Sequence, residues 1–462
     1  MVLMDERTQK TLFTGDGADS WTDAAEARDK GRDLRDYIPH EAHTYFTAQT
    51  DRPTVRDYME ATNEGRDEHL LPIRIERMRQ SPFAFFRGTA GLMAYDLSHE
   101  PVTGLHAQLC GDAHASNFGL FGGRLGSIVI DVNDFDETVR GPWEWDVKRL
   151  AASLILAGRQ NDIDDGTCVR AARHAARAYR RAARRVSATP FLDAWRNFAD
   201  ESVISRTKAD ALADDYARAL RKAARNTSER VADRWTARDD GQWEFTEDPP
   251  IRTRISPEDE TDVVDALRRY TATLPPAKRP LSARYRAHDV VHRIVGTGSV
   301  GLRSYLVLLQ GNGNEALVLQ LKQAQRSLLA PYVPETAPTH NGQRIVEGIR
   351  IMQADSDSWL GWTNIGEREY MVRQFRNHKA DIDPARLTAK NLDDYGRLTG
   401  ALLARAHCRT VDSRTLWAYL ARGKHFDRAI AAYATSYAAQ VEADYAEFLA
   451  LVDDGELPVN NA

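Results

Sequence analysis

The 462 residues carry 62 Lys and Arg against 67 Asp and Glu, a net charge of −5 that excludes a nucleic-acid backbone or an anionic membrane as the partner composition would predict; any basic patch must be local. Three cysteines, Cys110, Cys168 and Cys408, are odd in number and in no C-x-x-C spacing, which excludes a disulfide framework or a zinc cluster. The opening MVLMDERTQK has no apolar core and no window approaches the roughly 18 apolar residues of a membrane span, so a cytoplasmic protein of two or three domains is expected.

Residues 1–50 are polar and lack a sustained apolar stripe, which predicts an arm, loose or laid over the body, with no fold of its own. From 51 to 236 the chain reads as a helical lobe. HLLPIRIERMRQSPFAFFRGTAGLMAYDLS has apolar residues at helical spacing, GSIVIDV at 126–132 has the β-branched texture of a buried strand, and WDVKRLAASLILAGR returns to helical spacing. Proline and charge across 237–285 predict an irregular connection around one helix, and a domain boundary. Residues 286–380 change texture: HDVVHRIV, SYLVLLQ, ALVLQLK and REYMVRQF read as strands, with the helix NGQRIVEGIRIMQ between the last two. Residues 381–462 are again helical and are expected to complete the larger lobe.

The segment LCGDAHASNFG, then GSIVIDV, then NDFDET, sets two acidic loops on one hairpin. Phosphoryl transfer needs magnesium held against phosphates, a carboxylate near the attacking hydroxyl, and fixed geometry. Asp112 has the chemistry to serve the hydroxyl. Asn117 offers a neutral oxygen and Asp134 a carboxylate, the hard ligands magnesium takes alongside water and phosphate. Asp131, Asn133, Asp136 and Glu137 crowd the same strand end and are read as supporting residues, with Asp136 the one expected to reach the metal. No calcium loop emerges, because Phe135 stands where an oxygen is needed. His114 is read as shaping the loop, not as a ligand or base.

GDAHASN resembles the G-D-x-H-x-x-N catalytic loop of aminoglycoside phosphotransferases and choline kinases, and NDFDE resembles their metal-binding segment. The resemblance implies a further aspartate at a helix start that braces the loop backbone, a position Asp146 fits. The wider stretch from SPFAFFRGTAGLMAYDLS to DVNDFDETVRGPWEWDVKRLAASL is similar to the bacterial family called domain of unknown function 2252. That family brings no established substrate, so function has to be argued from the site.

Gly296, Gly298 and Gly301 in IVGTGSVGLRSYLVLL form a G-x-G-x-x-G followed by strand, turn and strand, where a dinucleotide fold would open a helix. In kinases such a loop joins two strands over the phosphates, and a lysine on the next strand pairs with phosphate and with a helix glutamate. Lys322 sits at that lysine's place; Glu347 is the expected partner, with Glu335 also in range. Arg87 in FAFFRG is either a phosphate or substrate contact or a buried structural arginine beside Phe85 and Phe86.

Glycine loop and lysine follow the acidic loop here, whereas kinases carry them first, so the order reads as a circular permutation with REYMVRQF ending in the hinge and DDYGRLTGALLARAH supplying the helix before the catalytic loop. The expected architecture is α+β: a two-lobed, protein-kinase-like fold with a small β-rich nucleotide lobe and a larger helical one. The expected activity is transfer of phosphoryl from ATP, with magnesium, to a hydroxyl of a small molecule, since no H-R-D or A-P-E signature is present. Nucleotidyl transfer on the same scaffold, a nucleotide-binding pseudokinase, and a metal-dependent hydrolase built on the Asp cluster alone are the rival readings.

Overall fold

Alternation decides how the β-rich part packs. In the strand Ser304–Gln310, Tyr305, Val307 and Leu309 turn to one apolar cluster while Leu306 and Leu308 turn to another. That period of two, apolar on both faces, demands cover on both sides. The computed structural model describes residues 22–124, 126–196, 202–239, 242–294, 296, 298–334, 338–422 and 424–459. It builds a six-stranded antiparallel sheet in the order Gly361–Ile365, Arg368–Gln374, Ala316–Gln323, Ser304–Gln310, Arg286–Arg293, Arg252–Arg254. Its register sets Lys322 opposite Ser304 on one side and Met371 on the other.

The cover comes from an unexpected place. Val263, Leu267 and Tyr270 of the helix Pro257–Tyr270 close one face. Val231 and Ala232 of the helix Ser228–Trp235, with Trp243 and Phe245 of the strand Gln242–Phe245, close the other. The stretch 237–285 carries the one helix expected of it, Pro257–Tyr270, but it packs onto the sheet where a bare connection was expected, and Arg252–Arg254 is an edge strand of that sheet. The strands of this stretch, three or four residues long, are too short to show a hydrophobic period amid proline and charge.

The helices Trp143–Gln160, Asp165–Ser187, Leu392–His407 and Lys424–Asp453 share one large apolar cluster, so segments from both ends of the chain make a single core. The arm is laid over the body from residue 22 on. Helix Ala24–Tyr37 turns Ala27 and Gly31 inward, Gly31 against helix Ser413–Leu420. His40 and His43 reach the carbonyl and hydroxyl of Tyr419 at 2.9 and 2.7 Å. Just past the arm, Arg52 bridges Asp96 at 2.8 Å and Asp444 at 2.7 Å, tying the chain there to the last helix. The first 21 residues of the expected arm lie outside the described residues.

The sheet is joined to this helical body in several places, two of them through whole segments. The segment 375–379 leaves strand Arg368–Gln374 and runs into Ala380–Asp381, which pairs with Leu120 and Gly119. Helix Asn341–Met352 packs against the sheet's last strands and also against the strand His106–Leu109. The molecule is thus a mixed α+β protein with small antiparallel sheets. Among the described residues no helix is long and apolar enough to cross a membrane.

Candidate active site

The acidic loop is held by its backbone. Gly111 has φ +81°, and a Cβ there would collide with the carbonyl oxygen of Glu137, so the turn before Asp112 requires glycine. Asp146, in the first turn of helix Trp143–Gln160, accepts the N–H groups of Cys110 and Gly111 at 2.9 and 3.1 Å. His407, from helix Leu392–His407, lies 3.2 Å from the same carboxylate, and the Tyr395 hydroxyl of that helix donates to the Ala115 carbonyl. Asp146 thus braces the backbone that leads into Asp112.

Asn117 and Asp134 come together because a hairpin joins them. Phe118 pairs with Val132, and the Asn133 N–H donates to the Asn117 carbonyl at 3.0 Å. Asn117 spends its amide nitrogen on the Asp112 carbonyl at 2.6 Å, which leaves the amide oxygen as the group able to meet a cation. Asp131, at the paired position inside the hairpin, is fully buried, ion-paired to Arg405 and bonded by the Ala354 N–H at 3.0 Å; its role is structural.

Asp112 is poised between two influences. Burial pushes its carboxyl up, and the neighbouring Asp134 adds to this, while Arg149 pulls it down; the balance is a pKa of about 6. Arg149 is itself 2% exposed: its Nε donates to Asp112, an Nη donates to the Phe86 carbonyl at 2.9 Å, and the guanidinium lies 4.1 Å above the Phe86 ring. His114 Nε2 stands 3.5 Å from the other Asp112 oxygen. Burial, with repulsion from Arg87 and Arg149, holds that imidazole well below its ordinary pKa, so it is neutral and packs edge-on to Phe83.

Lys322 is 7% exposed, and its ammonium contacts the Asp136 carboxylate. Burial works against the ammonium, but Asp136 and Asp134 outweigh it and raise its pKa. Asp134 is the mirror case. Burial disfavours its charge, yet Lys322, Lys379 and Arg373 together hold the carboxyl below its ordinary value. Lys379 lines the open cleft with its side chain still wetted; the surrounding protein and the nearby Arg373 push its pKa down to about 8.

The expected pairing of Lys322 with Glu347 is corrected. Helix Asn341–Met352 turns Ile345, Ile349 and the following Gln353 toward the cleft, and Glu347, two positions from Ile345, faces roughly the opposite way. It accepts a hydrogen bond from Gln343 at 2.7 Å instead. Asp136 is likewise engaged with the lysine, where it was expected to stand at the metal. Glu335, the other partner considered, lies outside the described residues.

The G-x-G-x-x-G bridges the strands Arg286–Arg293 and Ser304–Gln310, and Gly296 and Gly301 have φ of +69° and +88°. The helical body clasps this loop: Arg77 donates to the Gly296 carbonyl, Arg66 to the Val300 carbonyl, and the Asp67 N–H to the Gly301 carbonyl at 3.0 Å. Beneath it lie two adjoining cavities of about 470 and 460 Å³. Asp134, Gly296 and Ser299 border both. Lys322, Lys379 and Arg373, with Phe121, Ile349 and Phe375, line the first. Asp112, Asn117, Asp136, Gly298 and Arg87 line the second.

These residues fit a magnesium nucleotide. Cations and glycine-loop amides suit a polyphosphate, apolar side chains in the same cavity suit a base, and Asn117 with Asp134 supply hard oxygens. Among the described residues no group of three or more His, Cys, Asp or Glu forms a cage for a metal alone. Magnesium, which keeps water and phosphate in its shell, does not need one.

Sequence reasoning missed Arg344. It is 5% exposed and donates to the carbonyls of Thr138 at 2.6 Å, Asp136 at 2.9 Å and Gln325 at 2.9 Å, cross-linking the acidic loop to the segment after Lys322. A signal was present: an arginine inside the apolar stripe formed with Ile345, Gly348 and Ile349. Arg149, Arg373 and Lys379 carried no comparable mark.

No curated protein and no solved structure matches the chain. A family described as "Uncharacterized protein conserved in bacteria (DUF2252)" matches residues 66–451, a span that takes in the acidic loop, the glycine loop, Lys322 and the bracing Asp146. By that match over most of its length, the chain belongs to the bacterial family DUF2252.

Proposed function

We propose that the protein is an ATP- and magnesium-dependent phosphotransferase acting on a hydroxyl of a small molecule, on a two-lobed kinase-like scaffold whose lobes occur in permuted chain order. The observation that carries this reading is the contact of Lys322 with Asp136 beside Asp134, beneath a glycine loop with two positive-φ glycines. Lysine, acidic loop and glycine loop, far apart in sequence, border one cleft. The nucleotide supplies the phosphoryl group, and magnesium neutralises charge on its phosphates. In this reading Lys322 and the glycine loop bind and orient the phosphates, Asn117 and Asp134 hold the cation, and Asp136 keeps Lys322 in place. Asp112 takes or orients the acceptor proton, and a pKa of about 6 leaves it mostly ionised at neutral pH while still able to accept a proton.

One observation favours nucleotidyl transfer as a second reading. The cavity that does not include Asp112 is the richer in cations, with Arg77, Arg293, Arg373, Arg376, Lys322 and Lys379, so phosphates turned that way would present a different phosphorus to the acceptor. The mass of the modified acceptor separates the two, a phosphoryl group against a nucleoside monophosphate.

The primary test is thermal unfolding of the full chain with ATP, with magnesium, and with both. A ligand that binds only the folded state raises apparent stability, so a shift that requires both components is the expected result. Absence of any shift with ATP and magnesium together at saturating concentration would refute the assignment.

A further inference from the structure

The cavity that holds Asp112 is also lined by Arg66, Arg74 and Arg87. Five carboxylates, Glu64, Asp112, Asp134, Asp136 and Glu137, share that lining, but among the described residues none is ion-paired with these three, and Asp134 is held ionised by Lys322, Lys379 and Arg373. Asp112 is paired with Arg149 and Asp136 with Lys322. Glu137 accepts the Leu328 N–H at 2.6 Å, and burial pushes its carboxyl up to about 7, so it is only partly ionised at neutral pH. Glu64 stands exposed at the rim.

The three arginines have no carboxylate partner among the described residues. Arg66 donates to the carbonyls of Thr62 and Val300. Arg74 is 1% exposed and donates only to neutral groups, the side-chain oxygens of Asn63 and Thr62. Burial and repulsion from Arg66 push its pKa down to about 9. Arg87 has no side-chain hydrogen bond among the described residues, and its Nε is buried without a partner. It lies near enough to Asp112 and His114 to act on the charge of both. The cation over the Phe86 ring is Arg149, so Arg87 is not accounted for by stacking there.

Withdrawing guanidinium groups from water without a counter-charge is costly, and arginine's planar fork is matched to oxyanions. The geometry points to a phosphate-bearing acceptor: a small alcohol that is itself a phosphate monoester, its phosphate bound by Arg87 with Arg66 and Arg74 behind, its free hydroxyl directed to Asp112. This rests on the phosphotransferase reading for the hydroxyl's fate, but the anion site stands on the arginines alone.

The test is inorganic phosphate titrated into the full chain, free and saturated with magnesium and a non-hydrolysable ATP analogue, against acetate at matched ionic strength, followed by melting temperature and calorimetry. Phosphate is expected to add stabilisation in both states, and acetate much less. Arg87→Met is expected to weaken phosphate binding by roughly tenfold or more while leaving the analogue's own shift unchanged. Arg87→Lys, which keeps the charge and loses the fork, is expected to fall between. No phosphate-dependent shift in the native protein, or equal phosphate affinity in both variants, overturns the proposal. So does loss of the analogue's shift in Arg87→Met, which would make Arg87 a nucleotide contact. If the analogue fails to bind the native protein while phosphate binds through Arg87, the phosphotransferase reading falls and the anion site remains.

Discussion

Lys322 and Asp136 are 186 residues apart in the chain and in direct contact across the cleft. The lysine sits on the third strand of a hairpin series, buried, and the aspartate on the loop after another hairpin, half-buried. Their pairing is what makes one site of two distant motifs.

Replacing Lys322 by Met is expected to weaken magnesium–nucleotide binding by at least about tenfold, since it removes the buried cation that contacts Asp136 and acts on Asp134. Asp136 loses its partner at the same time. Calorimetric titration of the analogue into this variant and into Asp136→Asn separates the two effects: only the lysine variant should lose most of its affinity.

Asp134→Ala is expected to abolish the magnesium-dependent part of nucleotide binding and leave the fold intact. The carboxylate is surrounded by Lys322, Lys379 and Arg373, so it gains little from a bare cation and is expected to take magnesium only together with phosphate. Magnesium alone should therefore not shift the melting temperature of the native protein. Unchanged magnesium-dependent turnover in the variant would remove Asp134 from the metal site.

For Asp112 the expectation is a pH profile. The carboxyl is protonated below about 6, and a base works as the carboxylate. Turnover should therefore rise with pH between roughly 5 and 7, half-maximal near 6, then level off. Asp112→Asn should lower turnover by roughly 10²-fold with nucleotide affinity nearly kept. Arg149→Met removes the cation that pulls this carboxyl down, so its rise should move to higher pH, with a stability loss of about 2 kcal/mol from the partner left unpaired. A profile unmoved in Arg149→Met would mean that another group governs it.

Gly111→Ala is expected to destabilise the fold by about 1–3 kcal/mol, because the new Cβ meets the Glu137 carbonyl at a positive φ. Arg344→Met should cost a similar amount, about 2–3 kcal/mol, by leaving buried carbonyls on both sides of the cleft without a donor. Chemical denaturation of both variants checks this, and midpoints equal to that of the native protein would contradict a bracing role for either residue.

Several parts of this protein were legible because their information is local. The strands at 286–380 announce themselves as short apolar runs bounded by turns, the hairpin by its β-branched run, and the acidic loop by the spacing of Asp112, Asn117 and Asp134. Others failed for equally physical reasons. The short strands that complete the sheet's edge and cover, Arg252–Arg254 and Gln242–Phe245, are three and four residues long, below the length at which alternation can be read. Glu347 was drawn from a correct helix but on the wrong side of it, since one turn of 3.6 residues separates facing from opposed positions by two residues.

Pattern along the chain was enough for most element types, the glycine loop between two strands, the acidic hairpin, and membership of a family over most of the length. Each depends on neighbours within a few tens of residues. It took the packed molecule to establish that Asp136 receives Lys322, that Arg149 holds Asp112, that Arg344 ties the two halves together, and that Arg87 Nε is left without a partner. Which charges meet is set by how two packed bodies close over a cleft. Hydrophobic patterning specifies which faces are buried, but it carries no record of which polar side chains come to face one another there.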